Sequence, residues 1–174
     1  TAAQNSNVKA FISHMPFLDS INFIKKNGFI KIMKINAAAA KDIFNSITGR
    51  RPYTIPVFGK PEDFAVLNTP ESYEGYSSLV PENSSWKNEF PARSSLKFVW
   101  YRPIKYIPEL KCRGLVVYAE LDSITDPEMV EKAFRNMPGI ELLKLQCGHF
   151  NLFEGEYFKK ASDKEIRFTK NVFK

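Results

Sequence analysis

Asp122 and His149 are the residues of this chain whose types and placement could do chemistry. A carboxylate that hydrogen-bonds an imidazole fixes its tautomer and stabilises the imidazolium, which is the orienting half of a nucleophile–histidine–acid triad. The elements around the two residues can bring them together. Residues 115–119 form a continuous apolar, β-branched run, as expected of a strand buried on both faces of a parallel sheet. Asp126 can cap a helix that begins at Pro127, carries Val130, Ala133 and Phe134 as its apolar stripe, and stops at Pro138-Gly139. Residues 140–145 return as a second strand, which leads into Cys147-Gly148-His149. A right-handed parallel crossover makes both strands finish on one edge of the sheet. Neighbouring strands lie about 4.8 Å apart, so an acid just past one can reach an imidazole just past the next. Asp126 competes with Asp122 for the role of acid, but its place directly before Pro127 assigns it to helix capping.

Other candidates lie on the same rim. Residues 8–13, VKAFIS, read as a short buried strand ending at His14. No strand crossover pairs a carboxylate with His14, which is read as a pocket-wall or hydrogen-bonding residue. Together with Phe17 and Phe150 it is expected to contact substrate. Asp19, directly before Ser20, offers a helix cap. Glu154 and Glu156 stand near His149, but their spacing matches no metal-ligand pattern, so neither a metal nor another cofactor is expected. Arg102, before Pro103, is either half of an ion pair or a reader of a substrate carboxylate.

Composition narrows the class. The chain has 174 residues, 44% of them apolar, with 15 Phe, so it is built to bury a core. Its net charge of +6 is scattered in basic runs no longer than two, which argues against a nucleic-acid partner. No apolar run approaches the length of a membrane span, no secretory signal precedes the first strand, and no membrane partner is expected. Cys112 enters one strand and Cys147 leaves the next, at opposite sheet edges, so no disulfide is expected and a reducing, cytoplasmic setting follows. Whether the chain forms a homo-oligomer is left open.

Along the chain, residues 21–48 are expected to be helical in two pieces broken at Asn27-Gly28. One side carries Phe29, Ile32, Met33, Ile35 and residues 36–40, a stripe that either lines a pocket or packs in the core, with core packing favoured, and lysines cover much of the other. Residues 49–65 read as an ordered irregular loop, 72–80 as ambiguous and 89–100 as a helix. Residues 156–173 read as a terminal helix that packs through Phe158, Ala161, Ile166, Phe168 and Phe173. Thr1-Ala2-Ala3-Gln4 reads as the tail of a helix, without an initiator Met, and the strand at residues 8–13 has no upstream partner strand. An N-terminal portion is therefore expected to be missing or to lie in a second chain.

LVVYAELDSITDP followed by GHFNLFEG resembles the C-terminal part of α/β-hydrolase fold enzymes, where an acid follows the seventh strand and a Gly-His-Phe turn follows the eighth. MPFLDS, RRPYTIPVFGKPEDFA, SSWKNEFPARSSL and YRP are similar to the cap region of a serine aminopeptidase-like or dienelactone-hydrolase-like branch. The resemblance implies an α/β fold: the C-terminal half of an α/β-hydrolase, about three parallel strands with flanking helices plus a mostly helical cap. It divides the chain into residues 1–20 and 104–174 as a partial core and residues 21–103 as an inserted cap. It makes His149 the general base and acid and Asp122 its orienting partner. The family's nucleophile is a Ser in a Gly-x-Ser-x-Gly elbow before the sixth strand, and this sequence contains no such motif. The resemblance thus implies part of a serine hydrolase for a small-molecule ester, thioester or amide. Its partner would be a missing N-terminal half, or a second chain, bearing the elbow. The alternative is a non-catalytic fragment or subunit that completes a fold with a partner chain.

Overall fold

A computed structural model describes residues 2–174, so Thr1 of the expected helix tail lies outside the described residues. A 3-10 turn, Ala2–Gln4, precedes β1 (Ala10–His14), α1 (Ser20–Asn27), α2 (Phe29–Ile47), β2 (Thr54–Ile55) and α3 (Pro70–Leu79). The chain continues through β3 (Phe90–Pro91), α4 (Ser95–Phe98), β4 (Arg113–Ala119), α5 (Pro127–Phe134), β5 (Ile140–Leu145) and α6 (Gly155–Val172). It divides into two compact units, one formed by residues 2–18 and 103–174 and the other by residues 19–102.

The first unit is a parallel three-stranded sheet in the order β1-β4-β5, with helices on both faces. Central β4 is buried from Gly114 to Ala119, and its side chains alternate between two cores. Leu115, Val117 and Ala119 pack with Ala161 and Phe168 of α6, while Val116 and Tyr118 pack with Val130 and Phe134 of α5. Each large aliphatic side chain buried in this way contributes roughly 1.5–3 kcal/mol. Gly114 is flanked by Phe11 and Ile140, and a Cβ there would fall 2.4 Å from the Phe11 ring, so any larger residue would have to push those two side chains aside. Asp126 caps α5 by accepting from Met129 N at 3.1 Å, and Pro127 opens the helix. Cys112 and Cys147 form no disulfide.

The second unit joins α1–α4 to an antiparallel pair, β2 with β3. Asp42 of α2 organises it. This fully buried carboxylate accepts from Tyr53 N at 2.8 Å and Arg93 N at 2.9 Å, and the Arg93 guanidinium lies 3.5 Å away. Asp42→Ala would strand two backbone donors beside β2 and β3, and we expect a loss of about 2–4 kcal/mol in urea unfolding. An unchanged midpoint would show that neither contact is made in solution.

Three stretches differ from the sequence reading. Residues 89–100 are not one helix: Pro91 forces Phe90 into extended backbone, Phe90 pairs with Ile55, and a 3-10 turn, Ala92–Ser94, then leads into α4 at Ser95. On α2, Ile35, Ala38 and Ala39 turn inward, but Phe29 and Met33 are 77% and 53% exposed, since successive residues rotate by about 100° and the two sets fall on different faces. On α6, Ala161 and Phe168 are buried, with Tyr157 and Val172 packed beside them one turn away, while Phe158, Ile166 and Phe173 point outward. The ambiguous stretch became α3. Thr69 caps it and accepts from Ser72 N at 3.1 Å, and Ser72 Oγ accepts in return from Thr69 N at 3.0 Å. Among the described residues no helix is long and apolar enough to cross a membrane.

Candidate active site

Backbone pairing continues past the ends of β4 and β5. Glu120 N donates to Leu145 O at 2.8 Å and Leu121 N to Cys147 O at 3.0 Å, so the two loops leave the sheet side by side. Asp122 follows at once and folds back on its own turn. Its Oδ1 accepts from Ile124 N at 2.7 Å and Thr125 N at 2.8 Å, and its Oδ2 from Thr125 Oγ1 at 2.6 Å. The fourth contact of this carboxylate is His149 Nδ1, 2.8 Å from Oδ2.

The side chain of Asp122 is 1% exposed and that of His149 16% exposed. Burial pushes the Asp122 pKa up, but the His149 hydrogen bond and charge, together with the two Thr125 hydrogen bonds, outweigh it and hold the carboxyl below the ordinary range. An ionised carboxylate can only accept, so Nδ1 of His149 donates. The imidazole is thereby fixed in the tautomer whose Nε2 can take up a proton and return it. On the far side, Gly148 N donates to Asn151 Oδ1 at 3.0 Å and buried Leu152 anchors the turn. The Phe150 ring packs against His149 at 5.1 Å, edge to face.

Of the residues expected at the site, Asp122, His149 and Phe150 come together. His14 reaches the same cluster through Phe153, whose ring lies 6.2 Å from His14 and 6.0 Å from His149. His14 does have a carboxylate beside it: Glu165 of α6 stands 3.9 Å from its Nδ1, supplied by a helix rather than by a strand crossover. Phe17, in the segment that follows β1, is half-buried. Asp19 caps α1 by accepting from Ile21 N at 3.0 Å and binds Arg102 through two 2.9 Å hydrogen bonds. That bidentate pair raises the Arg102 pKa further and occupies the guanidinium, as the ion-pair reading expects. Glu156 pairs with Lys160, and among the described residues no His, Cys, Asp and Glu side chains gather into a metal-binding group.

Sequence reasoning missed Thr125, Phe153 and Glu165. Asp-x-x-Thr after a strand is a recognisable turn signal for the first of these. The other two are brought in by the 3-10 turn Phe150–Leu152 and by the packing of α6, which no local pattern announces.

No protein-family model matches the sequence. Over 172 residues it is 28% identical to the quorum-quenching protein AidA of Acinetobacter baumannii (strain MDR-ZJ06), a match covering 99% of this chain and 57% of that protein. Among solved structures, DcsB in complex with its substrate analogue superposes with a TM-score of 0.80 at 22% identity, over 98% of this chain and 59% of that one. The α/β-hydrolase GrgF from Penicillium sp. sh18 gives 0.77 at 19% identity, over 98% and 58%. The monoacylglycerol lipase of Paleococcus ferrophilus gives 0.61 at 13%, over 96% and 60%. The chain therefore spans less than two thirds of the length of each of these proteins. Its three parallel strands, its flanking helices and these superpositions show that the chain has an α/β fold matching the C-terminal half of α/β-hydrolases.

Proposed function

We propose that this chain supplies the acid and the histidine of a serine hydrolase that cleaves an ester, thioester or amide bond. The observation that carries this reading is the 2.8 Å contact of His149 Nδ1 with a buried, fully hydrogen-bonded Asp122. His149 would take the proton of an attacking hydroxyl and return it to the leaving group, while Asp122 stabilises the imidazolium. The hydroxyl itself would come from a Gly-x-Ser-x-Gly elbow outside these 174 residues, in an N-terminal portion or a second chain. Residues 19–102 would serve as the cap, with Phe58, Tyr76 and Trp86 among its aromatic side chains. A relative named monoacylglycerol lipase favours carboxylic esters among the candidate bonds.

The test is to join the chain to an N-terminal portion carrying such an elbow and to assay p-nitrophenyl esters, thioesters and anilides. We expect turnover and fluorophosphonate labelling of the completed protein, and no labelling of this chain alone. A completed protein that turns over none of these substrates would sink the proposal. The absence of an elbow from the sequence favours a second reading, a non-catalytic subunit that completes a fold with a partner. In that case the purified complex contains a second chain by native mass and is not labelled by the probe.

A further inference from the structure

Helix α2 is apolar on two faces, and its own unit covers one of them. Ile35 and Ala38 pack against Ile55 and Ala92, and Ala39 is fully buried. A second apolar row stays exposed along the helix: Ile30, Met33, Ala37, Ala40, Phe44 and Ile47. Its two ends, Ile30 and Ile47, are 73% and 80% exposed. Single exposed apolar residues are ordinary. A contiguous row of them marks a binding surface, and a helix apolar all round is one that becomes buried.

The spacing of that row fits a particular occupant. Its steps alternate between three and four residues, as in the seam of a coiled coil, so another helix can lie along it. The row is also symmetric about its midpoint. Two antiparallel copies of α2, related by a two-fold axis there, would set Ile30 against Ile47, Met33 against Phe44 and Ala37 against Ala40. Large side chains meet toward the ends, and alanines meet at the centre, where helix axes can approach to about 8 Å. The opposed macrodipoles of antiparallel helices attract. Phe29 and Ile43 are exposed beside the row and widen it. The six large apolar side chains of this face, each of roughly 150–250 Å² and most more than half exposed, present on the order of 700 Å² per copy, close to the about 800 Å² per partner of a standard stable interface.

We propose that the exposed face of α2 is a homodimer interface, on which a second copy of this chain lays its own α2 antiparallel across a two-fold axis. The exposed charged residues of α2, Lys34 and Lys41, flank the row without entering it. Lys41 Nζ lies 4.1 Å from the centre of the Tyr53 ring, drawn back onto its own unit. In the dimer Lys34 of one copy borders Lys41 of the other, so like charge opposes association while apolar burial drives it. Salt screens the repulsion and leaves the burial, so the dimer should tighten as salt is raised. An acidic partner seated on the same lysines would loosen instead. This interface does not depend on the hydrolase reading.

Sedimentation velocity of the chain from about 1 to 100 μM, at low and high salt, measures the association. We expect a species of twice the chain's mass, more populated at high salt. Met33→Glu and Phe44→Lys each place a charge in the seam and should weaken dimerisation at least about tenfold. Both positions are exposed, so neither change touches the core of the unit. In the double variant, Met33→Glu with Phe44→Lys, each new carboxylate faces the new ammonium of the other copy, and dimerisation should return. Within one helix the two positions stand about 16 Å apart, so the double variant cannot pair them internally. Should either single variant lose its cooperative urea transition, Ala37→Glu, at the exposed centre of the seam, makes the same test and should also give monomers. A chain that stays monomeric, a dimer that survives the single substitutions, or a double variant no tighter than the singles overturns the proposal. Association that weakens with salt, or that needs a different polypeptide in native mass spectra, overturns it too and assigns the face to another partner.

Discussion

On the proposed hydrolase reading, His149→Ala in the completed protein is expected to lower ester turnover on the order of 10⁴-fold or more, with little change in KM. The size follows from the role: a hydroxyl nucleophile at neutral pH is weak until a base takes its proton, and the base and nucleophile of a triad act as one unit. The loss will not come from unfolding. Removing the imidazole takes one partner from Asp122 but leaves three, Ile124 N, Thr125 N and Thr125 Oγ1, so the buried carboxylate stays satisfied. The variant should therefore keep an unfolding free energy within about 1–2 kcal/mol of the native protein. Steady-state kinetics beside an unfolding curve checks both halves of this expectation. Undiminished turnover in a folded His149→Ala protein would remove His149 from the mechanism.

How far such a site can be read from sequence depends on how local its causes are. β4, α5 and β5 were legible because each is set by its own residues: an unbroken β-branched run, an Asp-Pro helix start, and a Pro-Gly stop. The same locality placed Asp122 and His149 past neighbouring parallel strands and separated Asp122 from its capping neighbour Asp126. Where tertiary packing decides, the pattern misled. Two apolar sets run along α2, and periodicity alone does not say which one finds a neighbour; Ala38 and Ala39 did, Phe29 did not. The apolar spacing around Phe90 suits a helix, but Pro91 imposes extended backbone on Phe90 and overrides it. Glu165 stands beside His14 only because α6 packs back over β4, a contact between residues far apart in sequence.

On the same reading, Asp122→Asn is expected to lower turnover of the completed protein by about 10³- to 10⁴-fold while changing almost no atoms. The reason lies in the four contacts. Native Asp122 only accepts: Oδ1 from two backbone N–H groups, Oδ2 from Thr125 Oγ1 and His149 Nδ1. An amide has one acceptor end and one donor end. If its NH₂ points at the backbone, it meets the N–H groups of Ile124 and Thr125 donor to donor. The other orientation satisfies the backbone but aims the NH₂ at His149 Nδ1, which must then be the unprotonated nitrogen. His149 is left in the tautomer with its proton on Nε2, unable to accept one from a nucleophile. The same substitution has a pH signature. The folded pKa of Asp122 lies below its unfolded value, so its stabilisation is complete above about pH 4 and fades as pH falls through the folded value. The native protein should exceed Asp122→Asn in stability by about 1–3 kcal/mol at pH 7, with the gap narrowing toward pH 3. Urea unfolding at the two pH values measures it, and a gap that stays constant or widens in acid would show that the carboxylate is not held ionised by His149 and Thr125.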